Sequence, residues 1–362
     1  MSSGLRLYCD FVVFVLGAVI GSFLNVCIHR MPREESVVTP PSHCPHCGQR
    51  IRWSDNIPLV SWLALGGKCR YCRAKITPRY FLVELLTAAL FLGVWLKHEQ
   101  TWLAPVYWVL VAGLIVATFI DFEHYIIPNE ITFGGVVAGV VFSLVLPGLQ
   151  DTGSISVAGL RSLAGILAGG LTLFVIIELG KLALGRVKVP LPAGTTVLIA
   201  DEKIKVGEDP ETAFADIFSR ASDRILFRAT SLKIGEQSFE NVDVALSETT
   251  LSVNGQDHGL DQAGTIIATT DLLVIPREAM GMGDMKLMAG IGAFLGWKAT
   301  VFSLMIASCL GSLLSLLLFV VGLRELRGRI PFGPYIAVSA LLWILGGREM
   351  TEAYFAGLFG GG

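Results

Sequence analysis

Two aspartates and four cysteines have the residue types and spacings that can do chemistry. Asp121 stands in Ala117-Thr118-Phe119-Ile120-Asp121-Phe122-Glu123-His124-Tyr125-Ile126-Ile127-Pro128-Asn129, and Asp284 in Gly281-Met282-Gly283-Asp284-Met285-Lys286. Each lies at the edge of an apolar run, where a charge is costly and marks a functional candidate. Two aspartates around one water can hydrolyse a peptide. Like charges that close share a proton, so one carboxylate acts as base on the water while the other, protonated, polarises the scissile carbonyl. Asp121 ends its run, where a helix dipole disfavours negative charge; Asp284 opens its run, where the dipole favours it. This places the shared proton on Asp121, in a pair that titrates as a unit. Gly281 and Gly283 are expected to allow positive φ and close backbone approach, so that an extended substrate can lie beside Asp284. The same pattern also fits a Gly-containing loop with Asp capping a helix start. A membrane-surface location explains Glu123 and His124.

Cys44-Pro45-His46-Cys47 and Cys69-Arg70-Tyr71-Cys72 are C-x2-C pairs with twenty-one residues between them. Four thiolates at this near zinc-ribbon spacing can close a tetrahedral Zn²⁺ site. His43 and His46 are alternative ligands, but four thiolates suffice. With every position filled by protein, the metal is a scaffold with no open position for catalysis. A redox or disulfide role is the competing reading, and a cytoplasmic location weighs against it. Cys9, Cys27 and Cys309, in or beside apolar runs, read as small buried hydrophobes.

The elements that must hold these groups are apolar. The chain is 53% hydrophobic and 16% charged, with a mean hydropathy of +0.63; soluble domains carry about 25% charged residues. Apolar runs occur at Phe11–Ile28, Tyr80–Leu96, Trp102–Ile120, Thr132–Pro147, Leu163–Leu184, Met285–Trp297, Val301–Gly322 and Phe332–Leu345. At about twenty residues per crossing they predict about eight transmembrane helices. The first run has no cleavage site of the signal-peptide kind and is read as a span. Basic residues crowd the segment between the first two spans, from Arg30 to Arg79, and recur at Arg324, Arg327 and Arg329. The positive-inside rule then puts both termini outside and the cysteine loop in the cytoplasm, with both aspartates at the cytoplasmic membrane boundary. The partner is the lipid bilayer; a net charge of −2 gives no reason to expect nucleic acid.

Residues 185–278 read as an inserted soluble domain, α+β and mostly β. Asp209-Pro210 reads as a helix start, with Phe214, Ile217, Phe218 and Ala221 at helical spacing. Val242, Val244 and Leu246, then Leu251 and Val253, alternate as strands do, and Asn254-Gly255 reads as a turn. Ile266–Ile275 reads as a buried strand, and His258 as a surface residue. The fold class is therefore an all-α polytopic membrane protein with a small cytoplasmic four-cysteine zinc module and this insert. The expected divisions are a first span over 1–30, the cysteine loop over 31–79, spans two to five with Asp121 over 80–184, the insert over 185–278, and Asp284 with the last spans over 279–362.

With these residues in place, the chain resembles the type IV prepilin peptidase family, which also serves type II secretion pseudopilins. The resemblance rests on Gly21-Ser22-Phe23-Leu24-Asn25-Val26, His29-Arg30-Met31-Pro32, the cysteine pairs with Asp55-Asn56-Ile57-Pro58-Leu59-Val60-Ser61-Trp62, and Arg79-Tyr80-Phe81-Leu82-Val83-Glu84. It continues through the Asp121 segment, the G-x-G-D motif Gly281-Met282-Gly283-Asp284, and Pro331-Phe332-Gly333-Pro334. It implies an inner-membrane aspartyl endopeptidase that uses Asp121 and Asp284 to cut a short basic leader from prepilins after a Gly. It also implies S-adenosylmethionine-dependent N-methylation of the new N-terminus, although no Gly-rich methyl-donor motif is visible. Metal at the four cysteines in relatives accords with the zinc reading. The departure is the insert of roughly ninety residues, far beyond ordinary loop length, which is expected to contact substrate, an assembly ATPase or other pilus or secretion machinery, or simply to be tolerated. Two other readings compete: an ion- or proton-coupled transporter with paired carboxylates, and a zinc-scaffolded assembly protein without catalysis.

Overall fold

The computed structural model describes residues 2–359 apart from 99–100, 185, 210, 215–216, 219–222, 236, 261–263, 277–280 and 323–330. The chain divides into two compact units, one of Met1–Val175 with Met280–Gly362 and one of Ile176–Ala279.

The first unit is helical. Its elements are α1 (Ser3–Arg30), the short α2 (Val60–Ala64), α3 (Arg79–Lys97), α4 (Leu103–His124), α5 (Asn129–Val145), α6 (Ile155–Leu184, which runs on past the unit boundary), α7 (Met282–Val320), α8 (Gly333–Leu342) and α9 (Arg348–Phe359). Among the described residues, five helices are long and apolar enough to cross a membrane: Ser3–Arg33, Arg79–Lys97, Leu103–His124, Ile155–Gly180 and Met282–Val320; Asn129–Val145 is a shorter apolar helix. Exposed Leu160, Leu163, Leu167 and Leu171 of α6 fall on one helical face. Such an outward leucine stripe suits lipid rather than water.

In lipid the hydrophobic effect does not drive helices together, so close backbone packing must. Glycines supply it here. A Cβ on Gly17 would lie 2.7 Å from the Cα of Ala88, and one on Gly21 2.7 Å from that of Glu84, so α1 and α3 meet backbone to backbone. A Cβ on Gly165 of α6 would lie 2.0 Å from the Gly292 carbonyl oxygen of α7.

Helix α7 contains two of the expected runs. Met285–Trp297 and Val301–Gly322 are two helical stretches that meet without an intervening loop, at a non-helical Gly296 (φ 77°, ψ 176°). Glycine tolerates that φ without penalty. The carbonyls just before the break lose helical partners, and in hydrocarbon each orphan costs several kcal/mol. A side chain from elsewhere meets that need. Gln150, buried in the turn after α5, donates from Nε2 to the carbonyls of Ala293 (3.0 Å) and Phe294 (3.1 Å). The buried hydroxyls of Ser143 and Ser162 also donate to the Ala293 carbonyl, at 3.1 and 2.8 Å.

The second unit is built on one antiparallel sheet. Its strands are β1 (Arg186–Ala200), β2 (Lys203–Val206), β3 (Thr212–Ala213), β4 (Ile225–Ile234), β5 (Gln237–Leu246), β6 (Thr250–Val253), β7 (Gln256–Gly259) and β8 (Ile266–Pro276), in the order β3-β2-β1-β8-β4-β5-β6-β7. The alternation read from the sequence holds: Val242, Val244, Leu246, Leu251 and Val253 are all buried. Asn254 and Gly255 have φ of 50° and 86°, as a two-residue hairpin turn of the primed type requires. The first and last strands pair along their length, with Arg186 opposite Pro276. The strands by which the chain enters and leaves are thus neighbours in the interior of an open sheet. The helix expected from Asp209 is corrected at its start. Thr212–Ala213 pairs as a strand with Lys203 and Ile204, because those N–H and C=O groups complete the β2 edge. One turn follows, with the Phe218 N–H on the Phe214 carbonyl at 2.7 Å; Pro210 and Ala221 lie outside the described residues.

Candidate functional site

The Asp121 carboxylate is presented by the end of α4. Tyr125 adopts a left-handed conformation (φ 57°), closing α4 with its N–H on the Asp121 carbonyl. Ile127-Pro128 then leads into α5, which begins at Asn129. Asp284 sits in the first turn of α7. That helix starts from an extended Gly281 (φ −72°, ψ 149°) and has no side-chain cap. Asp284 is the third residue of the helix and its carboxylate accepts from the Gly281 backbone N–H, a contact of the capping kind, so the capping reading and the catalytic reading both fit its position. Both aspartates are buried, 5% and 8% exposed.

The two segments converge on Ile127. A Cβ on Gly283, beside Asp284, would lie 3.1 Å from the Ile127 Cβ. A Cβ on Gly333 would lie 2.7 Å from the Asp121 Oδ2 and 3.2 Å from the Ile127 Cδ1. Residues far apart in the chain thus bring the Asp121 and Asp284 segments together around Ile127.

Neither Gly281 nor Gly283 has positive φ, which corrects that part of the expectation. Gly283 is inside the helix, and what it provides is room for Ile127. Gly281 makes no tight approach.

Gly333 is the residue whose role sequence reasoning missed. Its N–H, the first of α8, donates to the Asp121 Oδ2 at 2.9 Å. The only signal was its place in Pro331-Phe332-Gly333-Pro334. Asp121 therefore lies at the C-terminal end of α4 and at the N-terminal end of α8. The two helix ends act on it in opposite senses, so helix dipoles do not decide which aspartate holds a shared proton. Glu123 pairs with Arg79 at the start of α3, and His124 is exposed.

The cysteines form the second site. The sulfurs of Cys44, Cys47, Cys69 and Cys72 all lie within 4.8 Å of one another, and Cys44 Sγ is 3.8 Å from Cys72 Sγ. A tetrahedron with Zn–S of about 2.3 Å has S···S edges of about 3.8 Å, so the donor set fits that ion. The two pairs sit on matching turns. Gly48 N–H returns to the Cys44 carbonyl (2.8 Å) and Arg73 N–H to that of Cys69 (3.1 Å), with Gly48 and Arg73 both at positive φ. The backbone N–H groups of Cys72 and Tyr71 pull the Cys69 thiol down to about 7, toward the thiolate a metal binds. Arg70 makes a two-point bond to Asp55, 2.7 and 2.6 Å, and holds that carboxyl below the usual range. The loop is tied to the helices by the Leu59 N–H, which donates to Glu84 of α3 at 2.7 Å.

Comparisons with known proteins find matches along most of the chain. The bacterial peptidase A24 N-terminal domain matches residues 15–98, and the type IV leader peptidase family matches residues 108–200 and 262–316. Similar proteins include prepilin leader peptidase/N-methyltransferases of three bacteria. That of Myxococcus xanthus is 46% identical over 134 residues, 37% of this chain and 40% of the relative. That of Aeromonas hydrophila is 28% identical across 95% of this chain and 92% of the relative. That of Dichelobacter nodosus is 36% identical over 205 residues, 49% of this chain and 68% of the relative. No solved structure matches. Two family domains in sequence, together holding all four cysteines and both aspartates, and relatives aligned over nearly the whole length show that this chain belongs to the type IV leader peptidase family.

Proposed function

We propose that the chain is a multi-pass membrane aspartyl endopeptidase that removes the leader from type IV prepilins or type II secretion pseudopilins after a Gly, and then N-methylates the new N-terminal residue. The observation that carries this reading is that Asp121 and Asp284 are both buried while Ile127 packs against Gly283, beside Asp284, and against Gly333, which touches Asp121. Asp121 and Asp284 are the catalytic pair. At rest they share one proton. The ionised carboxylate takes a proton from water, and the water oxygen bonds to the scissile carbonyl carbon. The protonated carboxyl donates to the carbonyl oxygen; the C–N bond then breaks and the leaving nitrogen takes a proton. Gly333 holds the Asp121 carboxylate in place.

The cysteine quartet is the candidate holder of a structural Zn²⁺, whose contribution is to fix the loop. S-adenosylmethionine supplies the methyl group. Among the described residues no cluster is assigned to it, and the steps that follow from the geometry are those of hydrolysis. The clustering of basic residues between α1 and α3 supports a cytoplasmic-facing site in a bacterial inner membrane. About eight crossings follow if each half of α7, α5 and α8 are counted as spans. The insert is the candidate surface for pilus or secretion machinery.

The test is a mass measurement. Purified protein is incubated with a prepilin peptide and S-adenosylmethionine. Expected products are the free leader and a mature peptide one methyl heavier; an intact peptide would overturn the reading. Gly333→Ala is expected to lower kcat about a hundredfold, since the added methyl would sit on the Asp121 carboxylate and misplacement of about 1 Å has that effect. Retention of more than a third of the wild-type kcat would remove Gly333 from the site.

A further inference from the structure

Asp284 has to be held against the Asp121 segment, and the residue that opens α7, Gly281, has no side chain with which to tie the helix start down. Gly283 against Ile127 is one contact that locates it. A second comes from Lys286. Its Nζ donates to the Asn129 Oδ1 at 2.9 Å, across 157 positions of sequence, and lies 5.2 Å from the ring centroid of Phe133. Lys286 is two residues beyond Asp284 and three beyond Gly283, whose helix face it shares. Asn129 opens α5 two residues after Ile127, and Phe133 lies one turn further along α5. Among the described residues no carboxylate pairs with Lys286, so its bonds go to a neutral amide and an aromatic face. Such bonds fix direction more than they neutralise charge.

We infer that Lys286 is a positioning residue: its bond to Asn129 sets the register of the Asp284 turn against the segment that carries Asp121. The inference rests on the catalytic reading of the two aspartates. Lysine suits the task because its stem crosses the helix–helix gap while the ammonium reaches the Asn129 amide oxygen.

The test uses the full chain in lipid nanodiscs with a prepilin peptide. Wild type, Asp284→Asn, Lys286→Met, Lys286→Arg, Asn129→Ala and the Lys286→Met/Asn129→Ala pair are compared. Lys286→Met and Asn129→Ala are each expected to lower kcat about tenfold with KM within twofold of wild type. The double variant should be no slower than the worse single one, because both remove the same bond. Lys286→Arg should recover at least half of kcat. A purely structural lysine would instead lower folded yield and leave kcat per folded molecule unchanged, which overturns the inference. So does a rise in KM alone, or losses that multiply in the double variant. If wild type cleaves, Asp284→Asn does not, and Lys286→Met retains full kcat, the positioning role alone is lost. If Asp284→Asn cleaves normally, the catalytic reading falls first and this one with it.

Discussion

Asp121→Asn and Asp284→Asn are each expected to lower kcat for prepilin cleavage by about four orders of magnitude, and the double variant by no more than that. The size follows from removing one member of a pair that acts as a unit, where single losses approach the joint loss. Asparagine is the informative replacement. It keeps the shape, and at position 121 it keeps an oxygen for the Gly333 N–H, so the fold is not at issue. What it removes is the ability to hold or take the proton. The wild-type profile should be bell-shaped in pH, since one group must be protonated and its partner ionised. Single-turnover cleavage of a labelled peptide measures both effects. Cleavage within tenfold of wild type in either variant would exclude the pair as acid and base and reopen the transport reading.

Metal removal is expected to have the next largest consequence. Structural zinc binding is worth about 10–16 kcal/mol of folding free energy in small sites, and the loop has little else to order it. Its described hydrogen bonds are mostly turns, with a few side-chain links such as Arg70 to Asp55 and the bond to Glu84, and its buried side chains within 42–76 are few. Stripping the metal with a chelator under reducing conditions, or making Cys44→Ser with Cys69→Ser, should raise proteolytic cleavage within 42–76 by at least about tenfold. Peptidase activity should fall as well. The loop is bonded to α3 through Glu84, and α3 is bonded through Arg79 to Glu123, two residues from Asp121. Metal analysis by mass spectrometry is the companion measurement. Fewer than about 0.2 ions per purified chain, with the loop still protease-resistant, would rule out a zinc scaffold.

Local patterns made much of this protein legible. The cysteine pairs announced a tetrahedral donor set because spacing within each pair is a short-range constraint. Asn254-Gly255 announced a hairpin because few other dipeptides accept two positive φ values. The aspartates stood out because charge at the edge of an apolar run is costly whatever the fold. The rest was hidden because it is not local. The Gly333 N–H reaches Asp121 across 212 positions, and nothing near either residue signals the other. The role of Gly283 was misread because a small residue in a Gly-x-Gly suggests backbone freedom, whereas the structure uses its missing side chain. The break within α7 was legible because Gly296-Trp297-Lys298 reads as an interruption. The partners that make it tolerable, Gln150, Ser143 and Ser162, come from distant segments and were not.

That interruption has a mechanical implication. Twelve residues separate Asp284 from Gly296, an arm of about 18 Å at 1.5 Å per residue. A swing of about 5° at the joint carries the carboxylate about 1.6 Å, enough to make or undo a hydrolytic geometry. The angle at the joint is held by Gln150, Ser143 and Ser162. Chemistry at one end of the lever is thus aimed by an amide and two hydroxyls at its other end.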